Sequence, residues 1–335
     1  MSGRLANLTL LVVAPLAAAT GFAMFLFGSG PVWPVAILHG VVGLLVVVLV
    51  PWKSVVVRRG LRRLRRPGVV TSLALGATVV LALVTGVAHL DGAWAGGASP
   101  TVLQLHVGAG ILAVILTLAH AVRRRVHPRR TDLSRRTFVR LAGVTAAAGA
   151  LEACVQATSA LTTQRGIRRS TGSYRLASSS VAAIPATSWL FDQVPDVDPA
   201  SWRLSVTSAG SSREWSLAEL SQWGDRQVAV LDCTGGWWTE QEWSGVRLTR
   251  LLPGSTYGGT HGSVAVVSAT GYFRRLPVTD DLLLATAVGG VTLSPEHGSP
   301  VRLVVPGRRG YHWVKWVVRI EHDDRPWWVE PPLPL

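Results

Sequence analysis

Four apolar runs of about twenty residues each occupy the first third of the chain: Leu8 to Phe27, Trp33 to Val50, Val69 to Leu90 and Thr101 to Val122. About 20 helical residues cross the hydrocarbon core of a bilayer, so each run is long enough to span it. Hydrocarbon offers the backbone no water, and a spanning segment must satisfy its own N–H and C=O groups. Stretches rich in Val, Gly and Thr therefore become helices there despite modest propensity in water. All four are expected to be transmembrane helices.

A net charge of +14 would suit a nucleic-acid partner if the basic residues were spread over one surface. They are not. Lys53, Arg58, Arg59, Arg62, Arg63, Arg65 and Arg66 lie between Trp52 and Gly68 without one acid, and a second cluster runs from Arg123 to Arg140. From Leu161 onward, 17 Arg and Lys face 16 Asp and Glu, so that half is nearly neutral and no nucleic-acid partner is expected. Both clusters follow even-numbered runs, whereas Gly28 to Pro34 and Asp91 to Pro100 carry no Lys or Arg. The positive-inside rule places both clusters and the N-terminus in the cytoplasm, with Trp33 and Trp94 near the outer interface.

Ser134-Arg135-Arg136-Thr137-Phe138-Val139-Arg140 then leads into an apolar stretch from Leu141 to about Ala160. This segment resembles a twin-arginine translocation signal, a receptor-read address typical of domains exported already folded around a cofactor. The alternative is an ordinary fifth helix with a basic cytoplasmic flank. Both readings put Leu161 to Leu335 outside the cytoplasm, and the expected protein is a multi-pass cell-membrane protein in contact with lipid. Cys154, in Leu151-Glu152-Ala153-Cys154, is read as a small apolar helix residue, because Glu152 is ill suited to a lipoprotein cleavage box.

Two histidines open helices in similar surroundings: His39 before Gly40 and Gly43, and His106 before Gly108 and Gly110. Each has Gly at i+4, on the same helical face, where a missing side chain lets a flat porphyrin approach the backbone. An ionisable group within a span is a functional candidate by default. Matched depth on two helices suits bis-imidazole ligation of one b-type haem. The alternative is interhelical hydrogen bonding, with Gly43 and Gly110 permitting close packing. His89 is an alternate outer ligand, and His120 near the inner end has no partner histidine on the second helix.

From about Ser170 the pattern changes to short β-branched stretches between Gly, Pro, Ser and Asp: Trp202 to Val206, Gln227 to Leu231, Val264 to Val267, Val301 to Val305 and Trp316 to Ile320. These read as strands. Ser216 reads as the N-cap of a short helix and Leu248 to Leu252 as another, giving an α+β domain large enough for its own core. The expected organisation is a four-helix membrane bundle over 1–130, a signal-like fifth helix and linker over 131–169, and an extracytoplasmic domain over 170–335. Within that domain the strand ending at Asp232 delivers Cys233 into a turn, Thr234-Gly235-Gly236-Trp237-Trp238. Two dissimilar cysteines make no disulfide framework. A single thiolate so placed suits a cofactor.

The order of fragments carries a family resemblance: Asp198 to Trp202 opening a strand, Cys233, Trp243 to Val246, Gly271-Tyr272, Leu276-Pro277, His297 to Pro306 and Val314 to Val317. The domain resembles the molybdopterin-binding domain of the sulfite oxidase family. The resemblance implies an α+β, sulfite-oxidase-type fold for this domain, which follows the all-α transmembrane bundle read above, with Mo-molybdopterin as its cofactor; haem b is the second cofactor, read from the helix histidines. The resemblance also implies that Cys233 binds molybdenum, since a thiolate is a soft anionic donor able to join dithiolene sulfurs around a metal. It further implies that Tyr272 belongs to the catalytic group and that His297 and Arg302 contact the pterin and its phosphate. Gly310, Tyr311, His312 and Lys315 complete the phosphate cradle in this reading, and Ser268 adds a polar contact. Sulfite oxidases proper carry paired arginines shortly after the cysteine, where this chain has Trp237 and Trp238. That departure points away from sulfite toward a neutral oxidised substrate such as a sulfoxide, unless Arg274 and Arg275 restore the charge. The Trp and Pro tail from Trp327 is expected to pack across the domain or meet the membrane surface.

The expected function is a membrane-bound molybdenum oxidoreductase performing oxygen-atom transfer on a small molecule outside the cytoplasm. Its electrons would be exchanged with a quinone pool or another electron-transfer protein. Two alternatives are a membrane cytochrome b relay subunit whose outer domain docks a redox partner, and a non-catalytic binding module on the same scaffold.

Overall fold

The computed structural model describes residues 2–27, 32–61, 69–90, 100–123, 129, 132, 134–162, 168–176, 180–188, 192–208, 210–252 and 262–331. Arg62, Arg63, Arg65, Arg66 and Trp94, read above as parts of the membrane-flanking loops, lie outside these residues. The chain divides into two compact units, one of residues 1–25 and 30–174 and the other of 26–29 and 175–335.

The first unit holds five long helices: α1 Gly3–Leu26, α2 Trp33–Leu61, α3 Val69–Leu90, α4 Val102–Arg123 and α5 Arg135–Thr162. All five contain segments long and apolar enough to cross a membrane. At 1.5 Å per residue the shortest, of 22 residues, reaches about 33 Å, against a hydrocarbon thickness of about 30 Å. Several basic residues bond polar groups near helix ends. Arg4 at the start of α1 pairs with Asp132 at 3.1 Å, Lys53 near the end of α2 donates to Asn7 at 2.8 Å, and Arg123 ending α4 donates to Thr71 on α3 at 3.2 Å. At the opposite end, Arg168 donates to the carbonyls of His89 and Leu90, the last two residues of α3. A guanidinium there satisfies orphan carbonyls and faces the negative end of the helix dipole. Between these polar ends α2 and α5 approach closely at Gly40, where a Cβ would fall 2.4 Å from the Glu152 carboxyl carbon.

The second unit is built on two sheets. One has five strands in the order β3-β2-β11-β6-β7, with β2 Arg203–Ser208 parallel to β11 Val317–Asp323; β3 Ser211–Ser216, β6 Ser263–Ser268 and β7 Phe273–Pro277 join antiparallel. The other pairs β1 Tyr174–Arg175, β5 Trp237–Arg247, β8 Leu283–Val288 and β10 Arg302–Val304, with β4 Asp225–Asp232 on β5 and β9 Val291–Thr292 on β8. Alternation works as expected in β2, where Leu204 and Val206 are buried and Arg203 is exposed. Ser216 caps α6 Leu217–Leu220 in a reciprocal capping box with Glu219. Trp243, Trp316, Leu204, Leu248, Leu284 and Leu303 sit in the core with almost no solvent contact. The tail packs on its own unit: Glu330 pairs with Arg274 at 2.7 Å, and the Trp327 ring lies 4.7 Å from the Arg308 guanidinium.

Candidate active site

Strands β4 and β5 form an antiparallel hairpin, and its turn carries Cys233. The pairing of Asp232 with Trp238 closes the ladder. Cys233 N–H then donates to Trp237 O at 2.9 Å, and Gly236 N–H donates to Cys233 O at 3.1 Å. The thiol is buried at the wall of an open cleft. Gly235 N–H donates to the sulfur at 3.3 Å, and the Thr187 hydroxyl is 3.2 Å from it. Behind the sulfur, Asp232 and Arg309 form an ion pair from which water is excluded. Because Asp232 precedes Cys233 and Arg309 precedes Gly310, this pair ties the cysteine turn to the 3-10 turn Gly310–His312.

The far wall of the cleft comes from 294–316. Gly298 ends the 3-10 turn Pro295–His297 at φ +104°, a left-handed conformation with no Cβ to clash, and Arg302 and Lys315 pack against it. Trp316 also has positive φ, +51°, uncommon for a bulky residue. Its indole N–H is held by Pro295 O at 2.6 Å, so the strained backbone is fixed beside the cleft. Arg302 lies under Trp243 and Trp313, 5.5 and 5.7 Å from their rings. Its Nη1 donates to His297 O at 3.3 Å, while Nε has no partner among the described residues. Burial lowers the Arg302 guanidinium to about 10, with Cys233 opposing the shift. Burial first, and Arg302 second, lower the Lys315 ammonium to about 7.

Of the residues named from sequence, Cys233, Ser268, Tyr272, His297, Arg302, Gly310, Tyr311 and Lys315 line this one cleft. His312 does not. Successive residues of a 3-10 turn point about 120° apart, so Tyr311 faces the cleft and His312 lies buried against its ring at 4.2 Å. Burial and the nearby Arg274 and Arg308 lower His312 to about 3. The Tyr272 hydroxyl donates to Tyr311 O, and burial pushes its phenol up. His297 has both ring nitrogens engaged, by Ser294 Oγ at 2.8 Å and Ile184 O at 3.0 Å. Its ring is lowered chiefly by burial. Arg274 and Arg275 are not in the cleft wall: the first pairs with Glu330, the second donates to Ser263 at 2.9 Å. They do not restore positive charge there. Sequence reasoning missed Thr187 and Asp192, which lie in a segment with no strand or helix pattern to mark it.

The first unit brings its two histidines together. The rings of His39 and His106 stand 5.9 Å apart, centre to centre, at 89°. His39 Nδ1 meets Ala17 O at 3.1 Å and Thr20 Oγ1 at 3.0 Å, and His106 Nδ1 meets Ala82 O at 2.8 Å. A carbonyl at Nδ1 makes that nitrogen the protonated one and leaves the Nε2 lone pair outward. The rings lean on Gly21 and Gly86, where an added Cβ would come within 3.0 Å. At Gly43 and Gly110, by contrast, a Cβ would meet nothing within 4 Å, so these two glycines border open space rather than a helix contact. His89 is occupied by Gly172 O at 3.0 Å and His120 by Ser72 at 3.3 Å.

Residues 191–328 match the oxidoreductase molybdopterin binding domain family, and sulfite oxidase of Gallus gallus is 32% identical over 172 residues, 40% of this chain and 38% of its own. The sheet unit is similar to the molybdopterin-binding domains of sulfite oxidases. Nitrate reductase (NADPH) of Mycosarcoma maydis is 54% identical over 44 residues, 13% of this chain and 4% of its own. The putative protein-methionine-sulfoxide reductase subunit YedZ1 of Azospira oryzae is 31% identical over 134 residues, 38% of this chain and 50% of its own. The chain spans less than two fifths of the length of the sulfite oxidases it matches. The residues of the cleft fit a molybdopterin. An anionic phosphate answers a buried guanidinium with an orphan Nε and an ammonium poised near 7. Among the described residues no cluster of three or more His, Cys, Asp or Glu side chains offers a metal cage. A lone thiol suits a metal that brings its other ligands with it.

Proposed function

We propose that this protein is a membrane-anchored, molybdenum-dependent oxidoreductase that catalyses oxygen-atom transfer on a small molecule outside the cytoplasm. The observation that carries the reading is the Cys233 thiol at the wall of a cleft that is also lined by the buried Arg302 and the half-buried Lys315. Bound molybdopterin supplies a metal able to exchange an oxygen atom with substrate two electrons at a time; the protein supplies position, electrostatics and exclusion of water. Cys233 Sγ is the metal ligand, oriented by Gly235 N–H and Thr187. Arg302, Lys315 and the Gly310 turn bind the phosphate. The Asp232–Arg309 pair keeps those two ends of the cofactor seat at fixed separation, and Trp313 and Trp316 keep water from the cations.

His39 and His106 hold one b-type haem in this reading. Two imidazoles sharing a metal through bonds of about 2 Å have ring centres about 6 Å apart, which the 5.9 Å spacing matches, with both Nδ1 atoms already tied to carbonyls. The open faces at Gly43 and Gly110 leave room for a flat macrocycle. The helices then exchange single electrons with a membrane quinone or a protein partner. Arg135 and Arg136 open α5, the helix end where cations oppose the dipole. Helix stability does not account for them, and a translocation address at the cytoplasmic face does.

Purification of the whole chain in detergent, with metal and pterin analysis and an optical spectrum, tests the assignment directly. Stoichiometric molybdenum and pterin with a b-type band are expected. Haem without molybdenum would leave the relay-subunit reading in its place, and neither cofactor the binding-module reading.

A further inference from the structure

We infer that the Thr187 hydroxyl donates a hydrogen bond to the Cys233 sulfur and, by doing so, raises the reduction potential of the metal that the sulfur binds. The inference rests on the molybdenum-site reading above. Thr187 Oγ1 lies 3.2 Å from Cys233 Sγ, and both residues line the cleft. In the cofactor-free protein either the thiol or the hydroxyl can be the donor. A metal-bound sulfur has given up its proton, which leaves the hydroxyl as the only donor of the two. Among the described residues Thr187 makes no other hydrogen bond, so its proton is not committed elsewhere.

Two donors converge on the sulfur from different parts of the chain. Gly235 N–H, at 3.3 Å, belongs to the cysteine turn and comes with the fold of that turn. Thr187 is 46 residues away in sequence, on a stretch from 184 to 188 with neither strand nor helix. What holds that stretch is its first residue. Ile184 is buried, and its carbonyl accepts from His297 Nε2 at 3.0 Å. His297 Nδ1 meets Ser294 Oγ at 2.8 Å, so the ring is fixed at both nitrogens and the stretch carrying Thr187 is tied to the turn Pro295–His297. Adding an electron to a metal–thiolate unit makes it more negative. A donor on the sulfur stabilises that reduced form more than the oxidised one, and hydrogen bonds to sulfur are among the levers that set the potentials of thiolate-bound metals. Burial of the sulfur strengthens the effect, because a hydrogen bond is electrostatically stronger where water is excluded.

Thr187→Val keeps the branched shape and removes the donor, Thr187→Ala removes it with less bulk, and Thr187→Ser keeps it. In full-length detergent-purified protein the potential is read from the electron paramagnetic resonance signal of pentavalent molybdenum during titration with dithionite and mediator dyes. Thr187→Val and Thr187→Ala should hold the added electron about three- to tenfold more weakly than the wild type, a potential about 30 to 60 mV lower at about 59 mV per tenfold. Molybdenum and pterin content should be unchanged. Thr187→Ser should stay within about twofold of the wild type. Equal or higher potentials in Thr187→Val and Thr187→Ala would overturn the inference. So would a Thr187→Ser that shifts as far as they do, because the methyl group and its packing would then be the cause. Loss of molybdenum from Thr187→Val and Thr187→Ala would overturn it as well, by making the hydroxyl a requirement for retaining the metal rather than a setting of its potential. Wild-type protein free of molybdenum would instead sink the site reading itself.

Discussion

In the helical unit the large apolar side chains face outward, and in the sheet unit the same residue types face inward. Val70, Val80, Val84, Ile115 and Leu118 are all more than half exposed on α3 and α4, whereas Val264, Val266, Leu284 and Leu303 are wholly buried. A hydrocarbon solvent accounts for the first pattern and water for the second. The contrast extends to histidine. His39 and His106 meet a carbonyl at Nδ1 and have no Nε2 hydrogen-bond partner among the described residues, while His297 spends both nitrogens on protein. The residue type marks a possible ligand; the neighbouring carbonyls decide which nitrogen is available.

The largest expected effect falls on the sheet unit. Cys233→Ala should reduce turnover at least a thousandfold while the circular dichroism spectrum and the haem band of the helical unit persist. Residual activity above a tenth of wild type would remove the sulfur from the metal. His39→Ala and His106→Ala should each abolish the b-type band, with molybdenum content intact. A band that survives either change assigns the haem to other residues and erases the distinction between the two kinds of histidine.

Charge burial sharpens the comparison further. Arg309→Met leaves Asp232 without its buried partner and should destabilise the sheet unit by about 3 to 5 kcal/mol, whereas Arg4→Met, at a partly exposed pair, should cost no more than about 1 kcal/mol. Equal losses in thermal unfolding would mean that the Asp232–Arg309 pair is not screened from water as its burial implies. The last effect is a pH dependence. The Lys315 ammonium is lowered to about 7 in the fold from its usual 10.5. Between those values the unfolded chain holds the proton that the folded one has lost, so stability of cofactor-free protein should rise as pH rises through that window. His297, lowered from 6.5, contributes only below it. Lys315→Met should flatten the slope, and a slope of unchanged size would exclude Lys315 as its source.

Several features were legible in the sequence for physical reasons. Helix spans follow from length, since no other open structure satisfies a backbone in hydrocarbon. The strands at 203–208, 263–268 and 317–323 announce themselves by β-branched alternation. The longest strand, β5, did not: Trp237 to Arg247 mixes aromatic, acidic and glycine residues, and its conformation is set by pairing with β4 and β8 rather than by propensity. The placement of Arg274 and Arg275, left open by the sequence, depends on tertiary structure for a related reason. They sit beside Tyr272 in sequence, but strand alternation and the tail residue Glu330 draw them elsewhere.

By itself the chain determined its division into an apolar helical part and an α+β part, and the clustering of its basic residues in the loops that flank the helices. Those follow from local composition and from the solvent each segment needs. Only the tertiary structure decided that Arg302 and Lys315 line one cleft with the sulfur while His312 turns away, and that Asp232 is neutralised by Arg309. Each of these depends on residues far apart in the chain meeting in a space from which water is excluded, where an unpaired charge or donor carries a penalty that sequence distance does not reveal.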